Sequence, residues 1–180
     1  MSDTTTLLRA AHFAAARHRK QKRKGSAGEP YINHPIAVAE LIASVGRVSD
    51  VLTLAAAILH DTVEDTDATL DDIEREFGAD IRGIVAELTD DKSLPSDERK
   101  RLQVANAPNA SRRAKIVKLA DKSVNVADIV RDPPPHWPVT RRRQYVEWAK
   151  EVVAGCRGAN TALEKHFDGV AAHALAAIRE

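Results

Sequence analysis

The sequence predicts an all-α fold, a single domain of about nine helices spanning residues 1–180. Nearly every segment repeats its apolar residues at a spacing of three or four, and no segment shows the alternation of a strand. Alanine is abundant and aromatic residues make up only 4% of the chain, which favours closely packed helices over a β-sandwich core. A chain of 180 residues is large enough to bury one core but too short for two ordinary enzymatic domains.

In the first half of the chain, capping residues and helix-breaking residues predict where the helices begin and end. Hydroxyl residues open the first helix, and a loop at 22–33 with two glycines and a proline follows it. Asn33 or His34 then caps a helix that begins with Pro35, a position that favours proline. Thr69, followed by acidic residues, starts a short helix. The predicted bounds are Thr4 to about Lys20, Pro35 to near Gly46, Ser49 or Asp50 to about Val63, and Thr69 to Gly78.

In the second half of the chain, apolar stripes and chain breaks predict where the helices begin and end. A charged segment with a weak stripe, 95–107, is typical of a surface helix, whereas the apolar residues of 111–130 indicate a buried one. A rigid break, Pro133–Pro135, precedes the last two helices. The predicted bounds are Ala79 to Thr89, Pro95 to Ala107, Ser111 to Val130, about Thr140 to Cys156, and Asn160 to Ile178.

Composition excludes several classes of protein. Hydrophobic residues at 43% and charged residues at 29% are typical of a globular chain, and a net charge of +1 gives no overall field for nucleic acid. The single cysteine, Cys156, cannot form an internal disulfide, which favours a reducing compartment. No apolar run approaches the length of a membrane span, and the N-terminus lacks a signal-peptide pattern. We therefore expect a cytoplasmic protein without a membrane segment.

The pair His60-Asp61 is the most informative feature for function. It ends an apolar helical run, where an ordinary buried helix would carry Leu or Ala. Burying an imidazole and a carboxylate is costly unless something pairs them, and a bound cation commonly does so. His34, at a helix start, and Asp121, in a helix interior, complete a candidate set. Two imidazoles and two carboxylates suit Mn²⁺, Fe²⁺ or Zn²⁺ with open positions, and predict a metal-dependent hydrolase.

Neighbouring polar residues strengthen this prediction. Glu64 and Asp65 each follow one member of the His-Asp pair by four residues, so a helix would bring each close to the metal. There they could orient a water or relay its proton, although they could also form a solvated helix end. Asn125 follows Asp121 by one turn and can hydrogen-bond a substrate hydroxyl or serve only in packing.

Positive charge is concentrated just before the His34 helix. Six Lys and Arg residues fall within 17–24, while acidic residues concentrate in 64–91. Arg23 and Lys24 lie in the loop that should overhang the metal, and arginine matches phosphate geometry and stacks on bases. A basic run can also be a solvated face, but its position here favours an anionic, small-molecule ligand.

Four motifs contain these candidate residues. They are Arg23-Lys24, Gly-Glu-Pro-Tyr-Ile-Asn-His-Pro (28–35), Ala-Ala-Ile-Leu-His-Asp-Thr-Val-Glu-Asp (56–65) and Val-Lys-Leu-Ala-Asp-Lys-x-x-Asn (117–125). Together they resemble the hydrolase domain of RelA/SpoT proteins in the HD superfamily, and within it the small alarmone hydrolases that include animal SpoT homologues. Shorter matches at 89–92, 98–103 and 145–149 extend the similarity over almost the whole chain.

This resemblance implies an HD-domain helical bundle that hydrolyses (p)ppGpp to GDP or GTP and pyrophosphate with Mn²⁺. It implies that Glu64 and Asp65 are the catalytic acidic pair. The implied metal ligands are His34, His60, Asp61 and Asp121. The implied substrate-binding residues are Arg23 and Lys24 at the base and phosphates, Asn125 at the ribose, and Arg141 and Tyr145 in the nucleotide pocket.

The sequence departs from the family at two positions and leaves two alternatives. Gly25 stands where the long proteins have serine and the animal forms an acidic residue, and Ser123 replaces a usual apolar residue. One alternative is a phosphatase acting on another nucleotide, such as the 2′-phosphate of NADPH. The other is a helical nucleic-acid-binding protein, which the near-zero net charge and the lack of aromatics in the basic run oppose.

Overall fold

The computed structural model describes residues 2–179, and over this range it confirms the all-α prediction. These residues form no strand, only an isolated antiparallel bridge between Lys22 and Pro30. Nine described helices have eight or more residues, and a tenth has four. The helices are α1 (Asp3–Arg17), α2 (Asn33–Ser44), α3 (Val51–Leu59), α4 (Thr62–Asp65), α5 (Leu70–Phe77), α6 (Ala79–Leu88), α7 (Ser96–Asn106), α8 (Arg112–Arg131), α9 (Val139–Cys156) and α10 (Thr161–Ala177), with a 3₁₀ turn at Ala107–Asn109.

Helix α8 is the centre of the bundle. It packs against α2, α3, α6, α9 and α10, and half of its twenty residues are buried. Helix α3 is buried over Thr53–Leu59, nearly all around its circumference, and it also packs against α1, α2 and α6. Polar residues on α2, α3 and α8 are therefore brought together inside the bundle. Within 2–179, no helix is both long and apolar enough to cross a membrane.

Several predicted helix starts are confirmed by their hydrogen bonds. The Asp50 side chain accepts from the Thr53 backbone N–H at 3.1 Å, and Asn160 caps α10 in the same way. Thr69 and Asp72 form the reciprocal capping box that their spacing predicts. Ser111 caps α8 and so fixes the start of the central helix.

The start of α2 and the end of α1 differ from the prediction. Helix α1 ends at Arg17, three residues before Lys20, because the chain turns where the Gln21 N–H donates to the His18 carbonyl at 2.8 Å. Neither Asn33 nor His34 caps α2 through its side chain, since a preceding turn already supplies backbone acceptors for their N–H groups. Pro35 is the third helical residue, where a missing N–H still costs no intrahelical bond.

The prediction of one continuous helix through His60-Asp61 to about Val63 is wrong. Helix α3 ends at Leu59, and α4 begins only at Thr62. Two side chains take the carbonyls that the helix would otherwise use: His60 Nδ1 donates to the Ala57 oxygen at 2.7 Å, and Thr62 Oγ1 to the Leu59 oxygen at 2.6 Å. The break turns the His-Asp pair and the following acids toward the same cavity.

Candidate active site

A cavity of about 520 Å³ opens beside the break between α3 and α4. Its walls come from the 21–31 loop, the α3–α4 junction, the 88–103 segment, α8 and α9. All the predicted site residues line it except two. His34 lies buried behind the wall, in contact with Asp61 and Asp121, and Arg141 is exposed outside it.

The four predicted metal ligands meet at one point of this cavity. His34, His60 and Asp121 each offer a ligand atom within 4.8 Å of the others. His34 Nε2 lies 3.1 Å from Asp121 Oδ1, and His60 Nε2 lies 3.1 Å from Asp61 Oδ2. The cross distances are 3.8 Å for His34 to Asp61 and 3.7 Å for His60 to Asp121. We call these four residues the metal cluster.

The hydrogen bonds of His60 test whether a cation fits the cluster. Because the Ala57 carbonyl can only accept, His60 Nδ1 carries the proton, and the lone pair of Nε2 faces Asp61 and Asp121. Within residues 2–179, this buried Nε2 has no hydrogen-bond partner. Burial lowers the pKa of His60, but the two carboxylates outweigh it and raise the pKa well above its usual range. Without a metal, His60 therefore carries a second proton, on Nε2, at the position where a metal ion would bind.

The other three members of the cluster are a neutral imidazole, His34, and two ionised carboxylates, Asp61 and Asp121. Burial lowers the pKa of His34, which keeps this imidazole neutral. Burial alone would raise the pKa of both carboxyls, but His60 lowers that of Asp61 and Lys122 lowers that of Asp121. Once a metal takes the place of the proton on His60, two ionised carboxylates and two neutral imidazoles would match a divalent cation in charge and in ligand type. The residues therefore fit a divalent metal.

Glu64 and Asp65 form an acidic pair on α4, beside the cluster. Glu64 Oε2 accepts from the Asp90 backbone N–H at 3.2 Å, and Oε1 lies 3.4 Å from Arg99 Nη1. Asp65 accepts from Gln21 Nε2 at 3.1 Å and also pairs with Lys92. Burial raises the pKa of Glu64 from 4.5 to about 7, so this carboxyl can exchange a proton near neutral pH.

The loop that carries Arg23 and Lys24 is attached to the C-terminal half of α8. Arg23 Nη2 donates to Asn125 Oδ1 at 2.9 Å and to Asp128 Oδ2 at 2.8 Å. Asn125 in turn donates to Asp121 Oδ1 at 2.6 Å, so it connects the loop to the metal cluster. Lys24 is exposed at the rim of the cavity.

Asp132, the residue after α8, holds the same loop from the other side. Its carboxylate accepts from the Ser26 N–H at 2.9 Å, the Ser26 hydroxyl at 2.7 Å and the Ala27 N–H at 3.2 Å. A Cβ at Gly25 would lie 1.9 Å from Asp132 Oδ2 and 2.7 Å from its backbone oxygen. Close packing therefore requires a glycine at position 25, where the sequence departs from the family pattern.

An aromatic wall closes the cavity on the side of α9. Tyr145 stands between Trp137 and Trp148, with ring centroids 5.6 and 5.2 Å away. Burial raises the pKa of Tyr145 to about 12, which keeps its hydroxyl protonated. Arg141 stacks on Trp137 at 4.5 Å and so touches the wall from outside.

Sequence reasoning missed the residues that support the cluster. The Tyr31 hydroxyl donates to Asp61 Oδ2 at 2.6 Å, and Lys122, buried against Trp148, donates to Asp121 Oδ2 at 2.9 Å. His18 is buried and hydrogen-bonds Gln21 at 2.7 Å, and Gln21 in turn binds Asp65. Tyr31 lies three residues before His34, and Lys122 lies next to Asp121; that proximity was the only available signal. Ser123 satisfies its buried hydroxyl by donating to the Leu119 oxygen at 2.8 Å.

Comparison with known proteins agrees with this geometry. Residues 10–146 match the profile of the HD domain. The chain therefore belongs to the HD-domain family, and within it to the group of the MESH1 proteins. The human guanosine-3′,5′-bis(diphosphate) 3′-pyrophosphohydrolase MESH1 is 53% identical over 164 residues, which cover 91% of this chain and 92% of the human protein. The protein of the same name from Drosophila melanogaster is 48% identical over 88% of each chain.

A solved structure of a related protein is also similar to this chain in its three-dimensional fold. It belongs to a metazoan ortholog of SpoT described as hydrolysing ppGpp. It matches this chain with a TM-score of 0.89 and 46% identity, over 92% of this chain and 93% of that one. The predicted family and the helical HD fold are confirmed.

Proposed function

We propose that this protein hydrolyses (p)ppGpp at the ribose 3′ position, giving GDP or GTP and pyrophosphate. The observation that carries the proposal is His60 Nε2, which makes no hydrogen bond and faces two carboxylates in a cavity with an adjoining acidic pair. This arrangement suits metal-dependent hydrolysis, and relatives about half identical over nine-tenths of the chain are named for that reaction on ppGpp. The basic loop at the cavity rim supplies charge for an anionic nucleotide.

The metal ligands in this proposal are His34, His60, Asp61 and Asp121. We propose Mn²⁺ as the ion, with Fe²⁺ or Zn²⁺ as the other ions that a mixed nitrogen and oxygen set suits. A divalent ion bound there supplies Lewis acidity, which lowers the pKa of water and offsets phosphate charge. Chelation should abolish turnover, and Mn²⁺ should restore it better than Mg²⁺, because two imidazoles disfavour a hard octahedral ion.

The remaining site residues act on water and on the nucleotide. Glu64 accepts a proton from the attacking water, since its raised pKa places it near the working range. Asp65 orients that water while Gln21 holds its carboxylate. Arg23 and Lys24 bind the base and phosphates, Asn125 binds the ribose, and Tyr145 lines the nucleotide pocket. A role for Arg141 would be indirect, through the Trp137 ring on which it stacks.

Product analysis tests the reaction directly. The purified protein with Mn²⁺ is incubated with ppGpp, pppGpp, NADPH and pApp, and the products are separated by ion-exchange chromatography. Cleavage at the ribose oxygen releases intact pyrophosphate, whereas cleavage between phosphates releases orthophosphate. We expect pyrophosphate and GDP from ppGpp. Orthophosphate alone, or fast turnover of NADPH with none of ppGpp, would instead support a phosphatase acting on another nucleotide.

The structure gives less support to nucleic-acid binding. The basic run at 17–24 does not form one surface: Arg17 pairs with Asp67, and Arg23 turns into the cavity. We propose a small nucleotide as the partner and the cytoplasm as its location, the latter on the sequence argument alone.

A further inference from the structure

Lys118 is a buried lysine for which the described residues provide no ion pair. It lies on α8 one turn before Asp121 and is 8% exposed, at the wall of the cavity. Among residues 2–179, its ammonium makes no hydrogen bond or ion pair. Burial lowers the pKa of Lys118, nearby Lys122 lowers it further, and Asp90 and Asp121 offset this only in part. An ammonium that is largely withdrawn from water without an ion pair is unfavourable, so a lysine in this place at the cavity wall indicates an anionic ligand.

Other cations surround the same end of the cavity. Arg99, Lys100, Lys118 and Lys122 line it together with Trp148, and we call this the cationic end. The buried Nε of Arg99 has no hydrogen-bond partner among the described residues. Lys100 lies over the Trp148 ring at 5.5 Å rather than in an ion pair. Three carboxylates face this end: Glu64, 3.4 Å from Arg99; Asp90, which Gln103 already binds; and Asp121, which accepts from Lys122 at 2.9 Å.

The opposite end of the cavity, at Arg23 and Asn125, contains an arginine that is already hydrogen-bonded. There Arg23 is paired with Asn125 and Asp128 and is held in place before any ligand arrives. Along α8, the metal cluster lies between the two ends, at Asp121. At 1.5 Å per residue, Lys118 lies about 4.5 Å before Asp121, and Asn125 about 6 Å after it. At the cationic end, Arg99 and Lys122 pair with Glu64 and Asp121. Lys118 therefore differs from Arg23 at the opposite end, because it lines the cavity without an ion pair.

We propose that Lys118, with Arg99, binds the terminal phosphate of the 3′-diphosphate and holds it as pyrophosphate leaves. This rests on the proposed function, in which the nucleoside lies at Arg23 and Asn125 and the reacting phosphorus at the metal cluster. The water oxygen bonds to the phosphorus next to the ribose, and the bond from that phosphorus to O3′ breaks. The ribose oxygen takes a proton, and the diphosphate departs with its second phosphate on Lys118.

Product inhibition tests this assignment. Lys118→Met removes the charge but keeps the volume. Lys115→Met is a matched control on the same helix, at a half-buried lysine outside the cavity whose ammonium donates to the Pro108 oxygen at 2.8 Å. Inhibition of ppGpp hydrolysis by inorganic pyrophosphate and by GDP is measured with free Mn²⁺ held in fixed excess. Losing a hydrogen bond to a charged group should raise the inhibition constant of pyrophosphate by about tenfold or more. GDP inhibition should stay within about twofold, and Lys115→Met should match the wild type in both.

Because all three proteins meet the same concentration of pyrophosphate, metal chelation cannot produce a difference among them. A rise in the GDP constant with an unchanged pyrophosphate constant would place the 5′-diphosphate at this end and overturn the proposal. Equal constants in all three proteins would overturn it as well.

Thermal unfolding provides a readout that does not need turnover. Lys118→Met should melt at the same temperature as the wild type or higher, because an apolar side chain replaces a largely buried lysine that has no ion pair. Pyrophosphate should raise the melting temperature of the wild type and of Lys115→Met more than that of Lys118→Met. A fall of several degrees in Lys118→Met would show a structural role instead. Should ppGpp not be hydrolysed, the proposed reaction fails, while this measurement still decides whether Lys118 binds pyrophosphate.

Discussion

The metal cluster and the acidic pair share the stretch 60–65, yet their hydrogen bonds differ in kind. In the cluster, His60 Nε2 makes no hydrogen bond among the described residues, although it lies 3.1 Å from the Asp61 carboxylate. In the acidic pair, Glu64 and Asp65 accept from groups on neighbouring segments, including Arg99 and Lys92. The cluster therefore needs a cation to complete it, whereas the pair is already complete. We expect the metal to affect stability as well as rate, and the acids to affect mainly rate.

The largest expected effect follows from removing a cluster residue. His60→Ala should abolish turnover and also remove the stabilisation by metal, because the remaining ligands lose one member of their set. In the wild type, Mn²⁺ at about a hundred times its dissociation constant should add about 2.7 kcal/mol to the free energy of unfolding. Calorimetry with and without Mn²⁺ measures this.

The control for that experiment is His173→Ala, at an exposed histidine of α10. It should keep both turnover and the response to Mn²⁺. If His60→Ala were stabilised by Mn²⁺ as strongly as the wild type, the cluster would not be the metal site.

A smaller and more selective effect is expected from the acidic pair. Glu64→Gln and Asp65→Asn keep the shape of the side chains and remove their charge, so kcat should fall by roughly 10²-fold or more. Metal content, measured by atomic spectroscopy, should persist because neither residue belongs to the cluster. Near-normal kcat in both variants would mean that the pair is only a helix end, whereas loss of metal would make it part of the cluster.

The smallest effect is a pH dependence of stability in the chelated protein. Burial raises the pKa of Glu64 from 4.5 to about 7, so the folded state keeps a proton that the unfolded state has lost. Between these pH values, the Glu64 contribution to the free energy of unfolding should fall as pH rises, and above about 7 it should stay constant.

Urea unfolding of the wild type and of Glu64→Gln across this range measures that fall. As pH rises, the free energy of unfolding of the variant should increasingly exceed that of the wild type. Glu147→Gln, at an exposed position of α9, controls for the loss of one charge. A difference that does not change with pH would show that Glu64 is not buried as described.

Sequence patterns predicted most of the fold because its helices have clear local signals. The Asp50 and Asn160 caps and the capping box at Thr69 are short-range interactions, so neighbouring residues reveal them. The break after Leu59 was not predicted, because the apolar spacing continues through it. What ends the helix is competition by the side chains of His60 and Thr62 for backbone carbonyls.

The candidate site was predictable where a residue type is unusual in its context, as at His60-Asp61 inside an apolar run. Its supporting residues were not, because they act through contacts between distant segments. Gln21 reaches Asp65 across 44 positions, and Arg99 reaches Glu64 across 35. Lys118 was hidden for a further reason: a lysine in a helix is common, and only its burial without a partner distinguishes it.

The contact between Gly25 and Asp132 constrains how this sequence can evolve. A side chain at 25 would collide with the Asp132 carboxylate, and replacing Asp132 would still leave its backbone oxygen 2.7 Å from the new Cβ. A glycine-to-serine change would therefore require the loop and the end of α8 to shift together. Such coupling makes the fitness effect of either substitution depend on the other, so homologues with a larger residue at 25 should also differ in how they end this helix.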